Sequence, residues 1–206
     1  MKRMNAQARR VEVLAETVKQ IREKGMQAVR IADVADAMDV SSALIIYHFE
    51  TKERLLIDAL TYAAERDLLK LGRIMRGSGS PAELLMAALE WYAPTGQARG
   101  WQIWVDAWSA AMRDVALAEV LVDLHRQWNK AISSVIDAGV SDGVFQSSNS
   151  LEAATRLTSF LDGLAVRMVV HKEPISRADL RAWLVRQVAW ELAVDQSALS
   201  AVAPEK

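Results

Sequence analysis

Residues 40–56 read VSSALIIYHFETKERLL. Apolar side chains alternate there with Tyr47, His48 and Lys52, which a helix buried on all sides would not carry. The apolar spacing predicts two short helices, over about 31–38 and 41–49, joined by a tight turn at Asp-Val. Such a pair forms a helix-turn-helix over about 30–49, so the function of the polar side chains depends on the surface they face.

The second helix of this pair has one apolar side and one mixed side. Ile45 and Phe49 are one turn apart and are predicted to pack inward. In a helix-turn-helix the opposite side of this helix enters the major groove of DNA. Serine hydroxyls bind bases or phosphates, apolar side chains contact thymine methyl groups, and Lys52 adds charge at the next helix start, where anions bind. The predicted DNA-binding residues on these grounds are Ser41, Ser42, Leu44, Ile46, Tyr47, His48 and Lys52.

Composition limits the other function classes. The 206 residues carry a net charge of -1, so a nucleic-acid site must be local, and the chain has no cysteine, which excludes disulfides and thiolate chemistry. A secretory signal, an apolar run of membrane-spanning length, a glycine-rich phosphate loop and paired metal-ligand spacing are all missing from the sequence. We therefore expect a soluble cytoplasmic protein with no membrane partner, no catalytic residues, no metal and no cofactor.

Helical periodicity runs through nearly the whole chain and predicts an all-α fold of about nine helices. The small-residue stretch RGSGSP at 76–81 predicts a junction. An N-terminal three-helix helix-turn-helix domain is expected over 7–70, and a larger helical bundle for ligand binding and dimerisation over 80–196. Within this bundle, helices are expected over about 81–92, 101–112, 116–138, 151–171 and 176–194, followed by a frayed tail.

All seven tryptophans follow residue 90. Trp101, Trp104 and Trp108 share one helix face, and Met112 extends that face by helical spacing. Each tryptophan either fills a core or lines a cavity, where an indole N–H finds a partner. The candidate ligand-binding residues are Trp91, Trp104, Trp108, Met112, Trp128 and Phe160. Asp106 or Asp162 would give such a pocket a negative end and favour a cationic ligand.

The last two long helices are predicted to form a subunit interface. Leu157, Leu161, Leu164 and Met168 keep a 4-3-4 spacing typical of helix pairing. The final helix is apolar on two sides, one of which carries Trp183 and Trp190, and both sides need burial. These six residues are the candidate dimer interface.

The first 65 residues resemble the TetR family of bacterial transcriptional regulators. The resemblance is carried by the glycine that closes the first helix and by IADVADAMDVSSALIIYHFETKERLL, while LDGLAVRMVVH and WSAAMRD are similar to a choline-regulator-like branch. It implies a homodimer that binds a palindromic operator in double-stranded DNA and is released by a small-molecule effector.

Three positions depart from the family pattern. Asp39 replaces the turn glycine, so a left-handed backbone there would be strained, although aspartate tolerates it better than most residues. Val29-Arg30 replaces the usual capping Thr or Ser, which makes Arg30 a candidate phosphate contact. Ile46 stands where the recognition helix commonly has tyrosine.

The sequence therefore predicts a dimeric, ligand-responsive transcriptional repressor. Two alternatives remain open at this point: a regulator that activates transcription, and a helical protein-interaction module that has lost operator binding. Leu44 and Ile46 also have a simpler interpretation, as local packing. The operator sequence, the ligand and the regulated genes do not follow from the sequence.

Overall fold

A computed structural model describes residues 6–95 and 98–200, and all regular structure within these ranges is helical. The helices are α1 (Ala6–Lys24), α2 (Ile31–Ala37), α3 (Ser42–Phe49), α4 (Lys52–Met75), α5 (Pro81–Tyr92), α6 (Arg99–Ala111), α7 (Val115–Ser141), α8 (Ser150–Val170), α9 (Arg177–Glu191) and α10 (Gln196–Ser200). The all-α prediction is confirmed. Within the described ranges, no helix is long and apolar enough to cross a membrane.

Side-chain caps mark the starts of α5 and α8. Ser80 Oγ accepts a hydrogen bond from the backbone N–H of Glu83 at 3.3 Å, and Asn149 Oδ1 accepts from that of Glu152 at 3.1 Å. The tail was predicted to fray, but five of its residues form α10. The side chain of Leu199 is buried, and α10 packs against α5 and α9.

The chain divides into two compact units, and the first consists of the residues up to Asp67 together with Arg99–Leu124. Its core joins buried side chains of α1 to α3, such as Ile21 and Phe49, to Ile103 and Ala107 of α6. The sequence had placed α6 and the start of α7 in the range 80–196. They belong to this unit because their apolar side chains complete its core.

The second unit consists of Leu68–Ala98 and the chain from His125 onward. Ion pairs join its helices: Arg156 Nε donates to Glu191 Oε1 at 2.9 Å between α8 and α9, and Arg181 Nε donates to Glu90 Oε1 at 2.7 Å between α9 and α5. Gly143, with φ of +71°, ends α7 by adopting a backbone that other residues rarely adopt.

Gly139 of α7 lies directly beneath the buried ring of Phe145. A Cβ atom at this glycine would lie 2.1 Å from Phe145 Cδ2, closer than any real contact. We expect Gly139→Ala to displace the ring and to lower the free energy of unfolding by about 3 kcal/mol, the range seen when a core aromatic loses its packing. Urea unfolding followed by circular dichroism measures this loss. Gly100→Ala in α6 is the matched control, because a Cβ there meets nothing within 4 Å, and an equal loss in both variants would contradict the explanation.

Candidate nucleic-acid interface and effector region

Helix α3 is fixed from its inner side. Ile45 is fully buried and Phe49 nearly so, as their spacing predicts. The guanidinium of Arg10 lies 4.7 Å above the Phe49 ring and pairs with Asp58, which ties α3 to α1 and α4. At the start of α3, Ser41 Oγ accepts from the backbone N–H of Leu44 at 3.3 Å. The outer side of α3 is therefore presented on a rigid element.

The turn between α2 and α3 closes although its glycine is replaced. Asp39 adopts φ of +52°, the left-handed conformation that the sequence predicted to be strained. The backbone N–H of Val40 still donates to the carbonyl of Ala35 at 3.0 Å, which completes the helix end. The substitution therefore leaves the helix-turn-helix geometry intact.

The outer side of α3 is mainly apolar and aromatic. Tyr47 is 80% exposed and Ile46 is 47% exposed, whereas Ser42, Leu44 and His48 are half-buried. The imidazole of His48 lies edge-on to the Tyr47 ring at 5.3 Å. Ala43 is also exposed, and it was not among the predicted contacts because alanine carries no group that marks it as functional.

Two cations lie beside this helix. Arg30 is exposed at the start of α2, and its backbone N–H donates to the Asp33 carboxylate at 2.7 Å. This hydrogen bond to a side chain of α2 stabilises the helix start, where the usual Thr or Ser cap is missing. The hydrogen bond from Lys24, followed by that from the Arg30 backbone, holds the pKa of Asp33 below its usual value. Lys52 is half-buried, and its ammonium donates to the carbonyl of Gln27 at 2.9 Å, so it supports the α1–α2 loop as well as adding charge.

In the second unit, a half-buried carboxylate contacts two rings of an aromatic group. We call Trp91, Tyr92, His125, Trp128 and Asp162 the Asp162 cluster. The indoles of Trp91 and Trp128 stack at 5.7 Å, and the Tyr92 ring lies 4.8 Å from Trp128. The Tyr92 hydroxyl donates to Asp162 Oδ1 at 2.7 Å, and His125 Nε2 lies 3.9 Å from Asp162 Oδ2.

The electrostatics of the Asp162 cluster favour a positive partner. Desolvation raises the pKa of Asp162 above its usual value, against the opposing effects of the Tyr92 hydrogen bond and His125. Burial, together with the neighbouring charge of Asp162, raises the pKa of Tyr92. The ammonium of Lys70 already lies 4.9 Å over the Trp91 ring, a cation–π contact. Sequence reasoning missed Tyr92 because its partner is 70 residues away.

The other candidate ligand-binding residues are placed differently. Trp104 and Trp108 belong to the first unit, where they pack partly buried against its core, and Phe160 is half-buried on α8 of the second unit. Met112 lies beyond the end of α6 and is 73% exposed, so the prediction that it extends the tryptophan face is wrong. Asp106 accepts from the backbone N–H of Met26 at 3.1 Å and thus supports the α1–α2 loop.

An open groove of about 550 Å³ lies elsewhere in the second unit, along α4, α5 and α7. Its lining includes Leu68, Met75, Leu84 and Val135, and none of the candidate tryptophans.

Two family models match the chain. Residues 13–59 match the model for bacterial regulatory proteins of the tetR family, and residues 81–193 match the model for the C-terminal part of BetI-type transcriptional repressors. The second match alone spans more than half of the chain. The chain belongs to the TetR family. It is a transcriptional regulator with a helix-turn-helix DNA-binding domain.

Individual relatives agree with this assignment. The HTH-type transcriptional repressor KstR2 of Rhodococcus jostii is 28% identical over 165 residues, which cover 77% of this chain and 78% of that protein. A Saccharomonospora viridis protein described as a transcriptional regulator, solved in complex with choline, is 27% identical with a TM-score of 0.77, over 86% of this chain and 94% of that one. A TetR transcription regulator from Haloarcula marismortui shares the fold at 21% identity, with a TM-score of 0.75 over 90% of this chain and 99% of that one.

The candidate interface residues of this TetR-family chain fall into two groups. Leu157, Leu161, Leu164 and Met168 are buried in the core of the single chain, so the prediction that they contact a partner is corrected. Their apolar stripe covers the protomer's own helices, since α8 packs against α9. Trp190, in contrast, is 76% exposed, and Trp183 is exposed one heptad earlier on the same helix.

Proposed function

We propose that this TetR-family regulator is a homodimeric repressor that binds a palindromic operator and is released by a small organic molecule. The observation that carries the proposal is the outer side of α3, where Tyr47 and Ile46 project from a helix anchored by Ile45 and Phe49. An aromatic and an aliphatic side chain exposed together on a rigid helix call for a partner surface. The major groove accepts a helix of this size. Operator binding would place the protein with the chromosome, in the cytoplasm.

Geometry favours this proposal over an interaction module without operator binding. That alternative rested on Asp39 and Ile46. The turn closes with aspartate in the left-handed conformation, and Ile46 is exposed on the outer side of α3. Repression is supported by the KstR2 relative, which is named a repressor, and activation is the alternative that transcription assays would reveal.

The proposed dimer interface uses the exposed faces of α8 and α9. Trp183 and Trp190 lie on one such face, and Gly163 of α8 is exposed with open space around its Cα. A twofold axis through these helices would pair the two α3 helices, as palindromic half-sites require.

For the effector we propose an organic cation that binds at the Asp162 cluster. A half-buried carboxylate bonded to the Tyr92 hydroxyl supplies charge pairing, and the Trp128 indole packed against the Tyr92 ring supplies cation–π attraction. The Saccharomonospora viridis relative, bound to choline, supports this ligand class.

Operator binding is tested with a fluorescent DNA fragment from the region upstream of the protein's own gene. Saturable binding to this fragment, weakened steeply by salt and competed poorly by unrelated DNA, is the expected result. Equal affinity for unrelated DNA would contradict sequence-specific binding.

Arg30→Ala should lower operator affinity and flatten its salt dependence. If the exposed guanidinium contacts a phosphate, the slope of log affinity against log salt falls by about one unit per protomer. Lys130→Ala on α7 is the matched control, because it removes an exposed cation of the second unit. Equal slopes for Arg30→Ala, Lys130→Ala and the unchanged protein would show that Arg30 does not contact DNA.

A further inference from the structure

The outer side of α3 lacks the side chains that usually read purines. Guanine is read mainly by arginine or lysine, and adenine by asparagine or glutamine, through paired hydrogen bonds in the major groove. The sequence of α3 is SALIIYHF, which contains none of these four residue types. Its polar side-chain groups are the hydroxyls of Ser42 and Tyr47 and the imidazole of His48.

Apolar groups dominate what α3 exposes. We call Ala43, Leu44, Ile46 and Tyr47 the apolar α3 surface. Ala43, Ile46 and Tyr47 are exposed and Leu44 is half-buried, so all four retain carbon surface that water covers in the absence of DNA. Ile45 and Phe49 are buried and prevent the helix from rotating to hide that surface.

Charge lies at the flanks of this surface and not on it. Arg30 is at the start of α2, and Lys52 is at the start of α4, where it is also bonded to the Gln27 carbonyl. Cations in flanking positions contact phosphates, which orient the helix but do not distinguish bases. Every exposed side chain of α3 belongs to the apolar α3 surface, whereas the polar Ser42 and His48 are half-buried. The apolar group on a base edge in the major groove is the methyl of thymine.

We propose that this protein recognises its operator through thymine methyl groups that pack against the apolar α3 surface, with Ile46 as a specificity-determining residue. The inference rests on the proposed operator binding and adds to it the chemical feature that is read. Each half-site then carries thymines opposite α3, and cytosine at those positions is rejected because it offers a polar amino group and no methyl.

The test starts from a pool of DNA duplexes with randomised positions, from which the protein selects its own sites. The enriched duplex is then synthesised with deoxyuridine in place of each thymine in turn, which removes only the methyl group. We expect about a fourfold loss of affinity at each contacted thymine, since burial of one methylene-sized group contributes about 0.8 kcal/mol. Fluorescence anisotropy measures these affinities.

Variants of the protein connect the lost methyl to a side chain. Ile46→Ala should bind the thymine duplex more weakly and lose most of its sensitivity to deoxyuridine at one position in each half-site, a coupling that a double-mutant cycle measures. Val122→Ala is the matched control, because it also truncates an exposed aliphatic side chain but lies on α7, so it should retain the full affinity and the full sensitivity to deoxyuridine.

The possible results distinguish failure of the thymine-methyl readout from failure of the proposed operator binding. If the pool yields no enriched sequence, operator binding itself fails. If an enriched site binds equally well with deoxyuridine, operator binding stands and the methyl readout is wrong. Sensitivity to deoxyuridine that Ile46→Ala leaves unchanged would overturn the role of Ile46, since the methyl would then act through DNA shape.

Discussion

Trp190→Glu should convert the proposed dimer to a monomer and lower its operator affinity by about a hundredfold or more. A carboxylate in place of this exposed indole would lie unpaired in an apolar interface. A monomer binds only one half-site. It therefore loses the increase in affinity that comes from linking two binding events, a factor of about 10²–10⁴. Analytical ultracentrifugation measures the mass, and anisotropy on the operator fragment measures the affinity.

Two further variants make the dimer result specific. Val122→Glu replaces another exposed apolar residue, 55% exposed on α7, and should remain dimeric with full operator affinity. Leu161→Glu buries a charge in the core of the chain and should unfold the protein instead of separating the subunits. If Trp190→Glu sediments as a folded dimer, the interface lies on another surface.

If the proposed organic-cation site is correct, Asp162→Asn should leave operator binding unchanged and weaken release by choline, used as the probe cation, by about ten- to a hundredfold. The amide oxygen can still accept the Tyr92 hydrogen bond, so the local structure keeps its partner while the charge is lost. The expected factor corresponds to a charge-assisted contact of about 1.5–3 kcal/mol. Operator dissociation at increasing choline concentration, followed by anisotropy, measures the effect. Asp137→Asn, on the exposed side of α7, is the control and should respond to choline like the unchanged protein.

The pH dependence of release gives an independent signature of the same group. Because burial raises the pKa of Asp162, lowering the pH through that raised value protonates the carboxyl and weakens cation binding. Release of the unchanged protein from the operator by choline should therefore decline as the pH falls. In Asp162→Asn this pH dependence should be absent. If neither choline nor tetramethylammonium releases the unchanged protein from DNA, the assignment of an organic cation is wrong.

The helix-turn-helix could be predicted because its determinants are local. Ile45 and Phe49 lie one turn apart, and that spacing alone identifies the side of α3 that the core must cover. Capping side chains likewise act within three residues, as Ser80 and Asn149 do. The apolar stripe with Leu157 and Leu161 was recognised equally well. Periodicity shows that such a stripe is buried, but it does not show whether the same chain or a partner subunit buries it. Their own protomer covers them, so the interface prediction was wrong for these residues.

The candidate effector site depends on long-range pairing, which no local pattern encodes. Asp162 was recognised as a possible negative group, yet Tyr92 was not, because 70 residues separate the two in the chain. Asp106 shows the same limit, since its carboxylate supports a loop 80 residues earlier. The prediction for Met112 was wrong because α6 ends one residue before it, and helical spacing does not apply beyond the end of a helix.

The contribution of α6 to the first unit bears on how such regulators can be recombined. Ile103 and Ala107 complete the core beneath α1 to α3, and Asp106 holds the backbone of Met26. A chimera that joins residues 1–75 to the C-terminal part of another regulator would replace these side chains with those of the other protein. The first unit would then lose part of its hydrophobic core. Transplanting the specificity of α3 therefore requires either carrying Arg99–Leu124 along with it or grafting only the exposed residues of α3 onto a recipient that keeps its own α6.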